Sequence, residues 1–155
     1  MPDLLIELLS EEIPARMQGF AAQELRKNMI SFLAEQGLSE IAASAFSTPR
    51  RLTLFITGLP EKSHDIIEER KGPRVDAPQT AIDGFLRGVD LELDQLNVKI
   101  DGNVEKYFAS IKTPGRMSTQ IVAEALEKTI RTFPWPKSMR WGMSSLRWVR
   151  PLKGI

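Results

Sequence analysis

Leu4-Leu5-Ile6-Glu7-Leu8-Leu9 followed by Ser10-Glu11-Glu12-Ile13-Pro14 is the stretch on which the reading of the fold turns. The apolar run has the length of a β-strand, and its one charge, Glu7, leaves one face incompletely buried. The next five residues supply helix-start chemistry. Acids stand ahead of a first turn, where the helix dipole favours them, and Pro14 takes a position that needs no N–H donor. Met17, Ala21, Leu25, Met29 and Phe32/Leu33 then recur on one stripe, which predicts a helix to about Gln36, with Gly37 as a left-handed terminator. A strand running directly into a long amphipathic helix sets up a sheet covered by helices.

Working outward, Thr48-Pro49 breaks the chain before Arg50-Arg51-Leu52-Thr53-Leu54-Phe55-Ile56-Thr57, which alternates as a half-buried strand does and is closed by Gly58 and Pro60. Glu61 to Arg74 is charged and contains Gly72-Pro73, the composition of an exposed connection. Asp76-Ala77-Pro78 opens a short helix through Leu86. Asp101-Gly102-Asn103 lies between Asn97–Ile100 and Val104–Ile111, a strong hairpin signal. Ser118 or Thr119 caps a helix with Val122, Leu126, Ile130 and Phe133 on one side, ended by Pro134 and Pro136, and Ser144–Arg150 reads as a last strand. The class is therefore α+β, an antiparallel sheet with helices on one face. Setting aside an insertion at 61–96, the element order is that of the split βαβ, or ferredoxin-like, motif.

With 155 residues, one domain over 1–155 is the default. The 42% hydrophobic and 26% charged residues are ordinary globular usage and exclude disordered and low-complexity classes. Cysteine is absent, which removes disulfides, thiolate metal sites and cysteine nucleophiles. No apolar run approaches the roughly 18 residues of a membrane span, and no leader pattern opens the chain, so the expected location is the cytoplasm. The net charge of +1 conceals a division: residues 1–127 hold all twenty acids and fourteen bases, a net −6, whereas 128–155 hold seven bases and no acid. Trp135, Trp141 and Trp148 are interleaved with those bases in a basic, tryptophan-rich segment, 134–155. Such asymmetry points to a polyanion or an acidic partner.

Catalytic constellations are not legible. His64, the single histidine, stands in the charged connection with neither a serine elbow nor a second metal ligand near it, so no catalytic and no metal-ligating residue is assigned. Glu7, Glu11 and Glu12 are explained by helix capping. The basic residues carry more. Lysine and arginine neutralise phosphates and aromatic faces stack unpaired bases, so the tail suits RNA; the same tryptophans, spaced 6 and 7 apart, also suit core anchors. The candidate contacts are Arg50, Arg51, Lys71, Arg74, Lys137, Arg140, Arg147 and Arg150.

Several segments, in this order, carry a family likeness: Leu5-Ile6-Glu7, Ser10-Glu11-Glu12-Ile13-Pro14, Ser47-Thr48-Pro49-Arg50-Arg51-Leu52 and Arg70-Lys71-Gly72-Pro73. They continue with Gly84-Phe85-Leu86-Arg87-Gly88, Trp135-Pro136-Lys137-Ser138-Met139-Arg140-Trp141-Gly142 and Trp148-Val149-Arg150-Pro151-Leu152. Together they resemble the β subunit of the bacterial two-subunit glycyl-tRNA synthetase. Leu8-Leu9 stands where the family commonly has a glycine, and Trp148 where it has phenylalanine. The resemblance implies a piece from the N-terminal part of a longer subunit, in keeping with a chain that stops inside the apolar-basic Leu152–Ile155. It also implies that glycine, ATP and Mg react on the separate α subunit of an α2β2 heterotetramer, with no cofactor in this piece. β then contributes binding of tRNA(Gly) and subunit assembly, its partners being α, the tRNA and the rest of β. The alternative expectation is a protein-interaction module that packs on the rest of β or on α without touching RNA. The resemblance brings no residue-level site.

Overall fold

The computed structural model describes residues 2–155, which group into two compact units, one formed by the residues up to His64 together with Gly115–Ile155 and the other by Asp65–Pro114. In the first unit the order is β1 (Leu4–Ser10), α1 (Ala15–Glu35), β2 (Ala42–Thr48), β3 (Arg51–Thr57), then, beyond the second unit, the C-terminal helix (Ser118–Arg131) and a short last strand (Leu152–Gly154). The strands form one sheet in the order β2, β3, β1, last strand, with every pairing antiparallel. Two βαβ halves interleaved in this way are the split βαβ arrangement, and the α+β class holds.

Alternation decides the sheet's two faces. Ile6, Leu8 and Ser10 of β1 and Leu52, Leu54 and Ile56 of β3 are buried, whereas Leu5, Leu9, Phe46 and Phe55 are exposed on the other face. The buried face meets the stripe Met17, Ala21, Leu25, Met29 and Leu33 of α1, four residues apart throughout, and Ile121, Ala125 and Ile130 of the C-terminal helix. α1 ends as its sequence predicts: Gly37 takes φ 81°, the Leu38 N–H donates to the Leu33 carbonyl (2.9 Å) and the Gly37 N–H to the Ala34 carbonyl (3.0 Å), a double bond pattern that satisfies the orphan carbonyls.

The other end of α1 differs from expectation. Pro14 occupies the cap position, no side chain caps, and the first turn holds no acid. The chain stays extended up to Pro14 because the Ser10 and Ile13 N–H groups donate to Arg50 and Pro49 carbonyls (3.0 and 2.6 Å) and that of Glu11 to the Pro151 carbonyl (2.9 Å). Glu7, in the middle of β1, and Glu11, just past its end, are carboxylates paired with Arg51 (3.3 Å) and Lys153 (2.5 Å). β2 was not expected. It forms a hairpin with β3 around Pro49-Arg50, and its inward positions are the small Ala43, Ala45 and Ser47. Of the line expected for the C-terminal helix, Ile130 and, just beyond the helix, Phe133 are buried, whereas Val122 and Leu126 are only half-buried and the earlier turns bury Ser118, Ile121, Ala125 and Thr129 instead. Ser118 does not cap; its hydroxyl donates to the Pro60 carbonyl (2.5 Å) and its N–H to that of Glu61 (3.0 Å).

The second unit contains β4 (Ile66–Arg74), α2 (Gln79–Val89), a short 3-10 turn, β5 (Asn97–Asp101) and β6 (Val104–Thr113), in an antiparallel sheet with β6 at the centre. In chain order the C-terminal helix and last strand of the first unit are thus α3 and β7. The hairpin at 97–111 forms as predicted, with Gly102 at φ 67° in a two-residue loop. The charged stretch read as a connection is a strand. It is exposed along most of its length, Ile66 and Ile67 included, and finds its ion partners on neighbouring strands: Glu69 pairs with Lys99 (2.5 Å), and Asp65, just before the strand, with Lys112 (2.9 Å). α2 begins and ends about three residues later than predicted, closing at Asp90 in a left-handed conformation. The Phe85 ring lies over Gly72, where a Cβ would stand 2.6–2.9 Å from three ring carbons.

Candidate nucleic-acid interface

After α3 the chain winds through residues 132–151 almost without regular structure. Pro134 and Pro136 prevent the helix from continuing, and three rings hold the segment down instead. Phe133, Trp135 and Trp148 have centroids 4.6–4.9 Å apart in tilted and edge-on contacts, and Trp148 is 0% exposed. Trp141 packs half-buried against the same core. The expected strand at 144–150 is replaced by a loop. Met139 and Trp148 form an isolated antiparallel bridge, each N–H donating to the other's carbonyl (2.8 and 3.1 Å), and Gly142 turns the loop with φ 60°. Only three residues, Leu152–Gly154, join the sheet.

The cations face the other way. Lys137, Arg140, Arg147 and Arg150 are all exposed. Arg140 and Arg147 flank the bridged pair at the base of the loop, and the Arg147 Nε donates to the Ser138 hydroxyl (3.3 Å) while an Arg150 Nη donates to the Val149 carbonyl (2.8 Å). Among the described residues none of the four has a carboxylate at ion-pairing distance. Arg50, in the β2–β3 turn, is likewise exposed and has no ion-pair partner among the described residues, although its charge helps Lys153 hold the Glu11 carboxyl below the usual range.

The remaining three candidates have acids beside them. Arg51 pairs with Glu7 on the outer face of the sheet. Arg74 pairs with Asp76 (3.0 Å), and Lys71 shares Asp101 with Lys106. Hydrogen bonds from those two lysines hold the Asp101 carboxyl down to about 2, and the carboxylate in turn raises Lys71. Lys71 and Arg74 belong to the second unit, the other six to the first. Arg16 was not among the sequence candidates. Exposed and without an acid partner among the described residues, it lines a shallow cleft with Met17, Pro136 and Lys137. A cation in an acid-free first turn, where the helix dipole disfavours it, was the available signal.

His64 is exposed, and only its backbone is engaged, the N–H donating to the Gly37 carbonyl (3.3 Å). Among the described residues no three His, Cys, Asp or Glu side chains come together as a metal site would require, and no helix is long and apolar enough to cross a membrane. What the first unit offers is a cationic surface mounted on buried rings, where Lys137, Arg140, Arg147, Arg150, Arg50 and Arg16 have no carboxylate partner among the described residues.

Comparison with known proteins agrees over the whole length. The chain is 59% identical to the glycine–tRNA ligase beta subunit of Cereibacter sphaeroides, 58% to that of Ruegeria sp. and 55% to that of Phenylobacterium zucineum, over all 155 residues in each case. It spans only 22–23% of the length of those relatives. The model of the family described as glycyl-tRNA synthetase beta subunit matches residues 4–155, and with identities of this size the chain belongs to that family.

Proposed function

We propose that this chain is a non-catalytic region, from the N-terminal part, of the β subunit of a cytoplasmic glycine–tRNA ligase, and that it acts by docking tRNA(Gly) through the surface around Lys137–Arg150. The observation that carries the reading is the set of four exposed cations, Lys137, Arg140, Arg147 and Arg150, with no carboxylate partner among the described residues. Exposed cations left unpaired retain their full capacity to replace the counterions of a phosphate backbone. Arg50 and Arg16 extend the set. Lys71, Arg74 and Arg51 are weaker candidates, because an RNA would first have to displace Asp101, Asp76 and Glu7. Glycine activation with ATP and Mg is assigned to the partner α subunit, as the family resemblance implies.

Electrophoretic mobility shift of glycine tRNA by the 155-residue chain tests the reading. Binding is expected to weaken steeply with salt, and charge reversal of Lys137, Arg140 and Arg150 to glutamate is expected to abolish it. Unchanged affinity in the reversed variant would show that RNA does not dock here.

A second reading has its own support. The outer face of the first unit's sheet exposes Leu5, Leu9, Phe46 and Phe55 around the Glu7–Arg51 pair, an apolar and locally neutral surface of the kind that packs on protein. Assembly with α or with the rest of β would use that face. Pull-down of the α subunit by the chain and by its Phe46→Glu variant measures it.

A further inference from the structure

The way the basic segment is folded bears on which part of an RNA it meets. We infer that the Lys137–Arg150 surface contacts the phosphate backbone of base-paired RNA and reads no bases; this rests on the RNA-docking reading above. Base recognition uses two devices, aromatic faces on which unpaired bases stack and side-chain forks that meet base edges. The first is spent inside the protein. Trp135 and Trp148 are locked against Phe133 at 4.6–4.9 Å between centroids, and Trp141 packs half-buried on the core. The aromatic rings left exposed among the described residues, Phe20, Phe46 and Phe55, lie on α1 and on the outer sheet face, outside the segment.

The second device is reduced in the segment's composition to arginine. Residues 132–155 contain no Asn, Gln, Asp, Glu or His, which removes every fork except arginine. The hydroxyls present are partly committed at home, Ser138 accepting from Arg147 and Ser144 from the Leu146 N–H (3.1 Å). In a paired stem the deep, narrow major groove keeps arginine forks from the base edges. Cations without stacking rings then respond to charge density, and a duplex carries two phosphate strands along one axis, twice the linear charge of a single strand. The surface is therefore built to hold a paired stem wherever one is presented, and discrimination among tRNAs must come from other parts of the synthetase.

The test measures affinity of the 155-residue chain for glycine tRNA, a tRNA of a different amino acid, an RNA duplex of unrelated sequence and a 20-nucleotide oligouridine, over a salt series. Alongside it run a variant with Lys137, Arg140, Arg147 and Arg150 changed to alanine and a Phe46→Ala/Phe55→Ala variant. The two tRNAs and the duplex are expected to bind within about twofold of one another and more tightly than oligouridine. The fourfold variant should bind roughly 10- to 100-fold more weakly and lose about 3.6 from the slope of log K against log salt, about 0.9 per phosphate contact. The phenylalanine variant should bind as the parent does. If no RNA binds, or the fourfold variant binds as well as the parent, the docking reading itself fails. If binding needs the four cations but favours glycine tRNA more than about tenfold, prefers oligouridine, or falls with the phenylalanines, docking stands and the backbone-only inference is overturned.

Discussion

Gly115→Ala is the most demanding single test of how the first unit is assembled. Gly115 lies where residues 60–64 run beside 115–118. The Ser63 N–H donates to the Arg116 carbonyl (2.9 Å), the Arg116 N–H to the Ser63 hydroxyl (3.0 Å), and Lys62 bridges Met117. A Cβ on Gly115 would collide with the Ser63 carbonyl oxygen and stand 2.9 Å from its carbonyl carbon, against the ~3.5–4.0 Å of an ordinary contact. The obstacle is backbone, so no side chain can rotate away; the two segments must part by roughly 1 Å. That breaks the pair of Ser63–Arg116 hydrogen bonds, each worth about 1 kcal/mol net, and leaves the polar groups of the buried Ser63 unsatisfied at about 1–2 kcal/mol more. The expected loss is about 2–4 kcal/mol. All three tryptophans belong to the first unit, so denaturant unfolding followed by their fluorescence reports on this unit alone. Amide exchange at Ser63 and Ser118 should speed up in parallel. Gly84→Ala supplies the opposite sign: nothing lies within 4 Å of its Cβ position in the interior of α2, so the same change should stabilise that helix by about 0.5–1 kcal/mol. A Gly115→Ala chain that loses less than about 1 kcal/mol and keeps the Ser63 and Ser118 amides protected would refute the steric argument.

Gly72→Ala should destabilise the second unit by about 1–2 kcal/mol, since the new methyl meets the Phe85 ring at 2.6–2.9 Å, and Phe85→Leu in the same chain should recover much of the loss; additive effects in the double-mutant cycle would break the link. Asp101, held to about 2 by Lys71 and Lys106, is a carboxyl with a lowered folded value, so its contribution is complete above about pH 4 and disappears as pH falls toward 2. An NMR titration of its carboxyl carbon should show that midpoint, and Lys71→Met should raise it toward the ordinary 3.8; a midpoint unmoved by the substitution would exclude Lys71 as the cause. Trp148→Phe should change stability by less than about 1.5 kcal/mol in either direction. The indole Nε1 is buried without an acceptor among the described residues, so removing that N–H offsets the lost ring contacts, whereas Trp148→Ala should cost about 3–5 kcal/mol. Equal losses for the two in urea unfolding would mean that the Nε1 has a partner.

Elements with strong local signals were legible in the sequence, and those whose stability comes from elsewhere were not. β1, α1 and the 97–111 hairpin announce themselves through apolar runs, a four-residue stripe, Gly37 and Asp101-Gly102. β2 escaped because its buried positions are alanine and serine: the alternation is real, but the contrast in hydrophobicity on which such a reading depends is too small. β4 escaped for the opposite reason. Most of its residues are charged and exposed, and what makes it a strand is the β6 ladder together with the Glu69–Lys99 and Asp65–Lys112 pairs, whose partners lie far apart in the chain. The last strand was placed too early because Trp148-Val149 looks like the buried half of a strand, and both residues are indeed buried, though in a bridged loop.

The charge division could be read as arithmetic, but its physical meaning needed coordinates. Lys71 and Arg74 look no different in sequence from Lys137 and Arg140; they differ because acids stand within reach of the first two, Asp101 across the hairpin and Asp76 two residues on. Within 128–155 the sequence holds no acid, and among the described residues only Arg131 and Lys153 of its seven cations find carboxylates, those of Glu127 and Glu11. The Met139–Trp148 bridge, the short last strand and the Lys153–Glu11 pair are too few to hold in place a segment with so many cations and so little regular structure. Burial has to do it, at about 1.5–3 kcal/mol for each large side chain removed from water. That is the role of Phe133, Trp135 and Trp148, and it explains the interleaving. The rings are where they are because the cations beside them are left free, each inward-facing aromatic anchoring a stretch whose neighbours point outward. A stacking surface would have needed the same two residue types with the rings turned the other way, and it would then have lacked the core that keeps the loop folded.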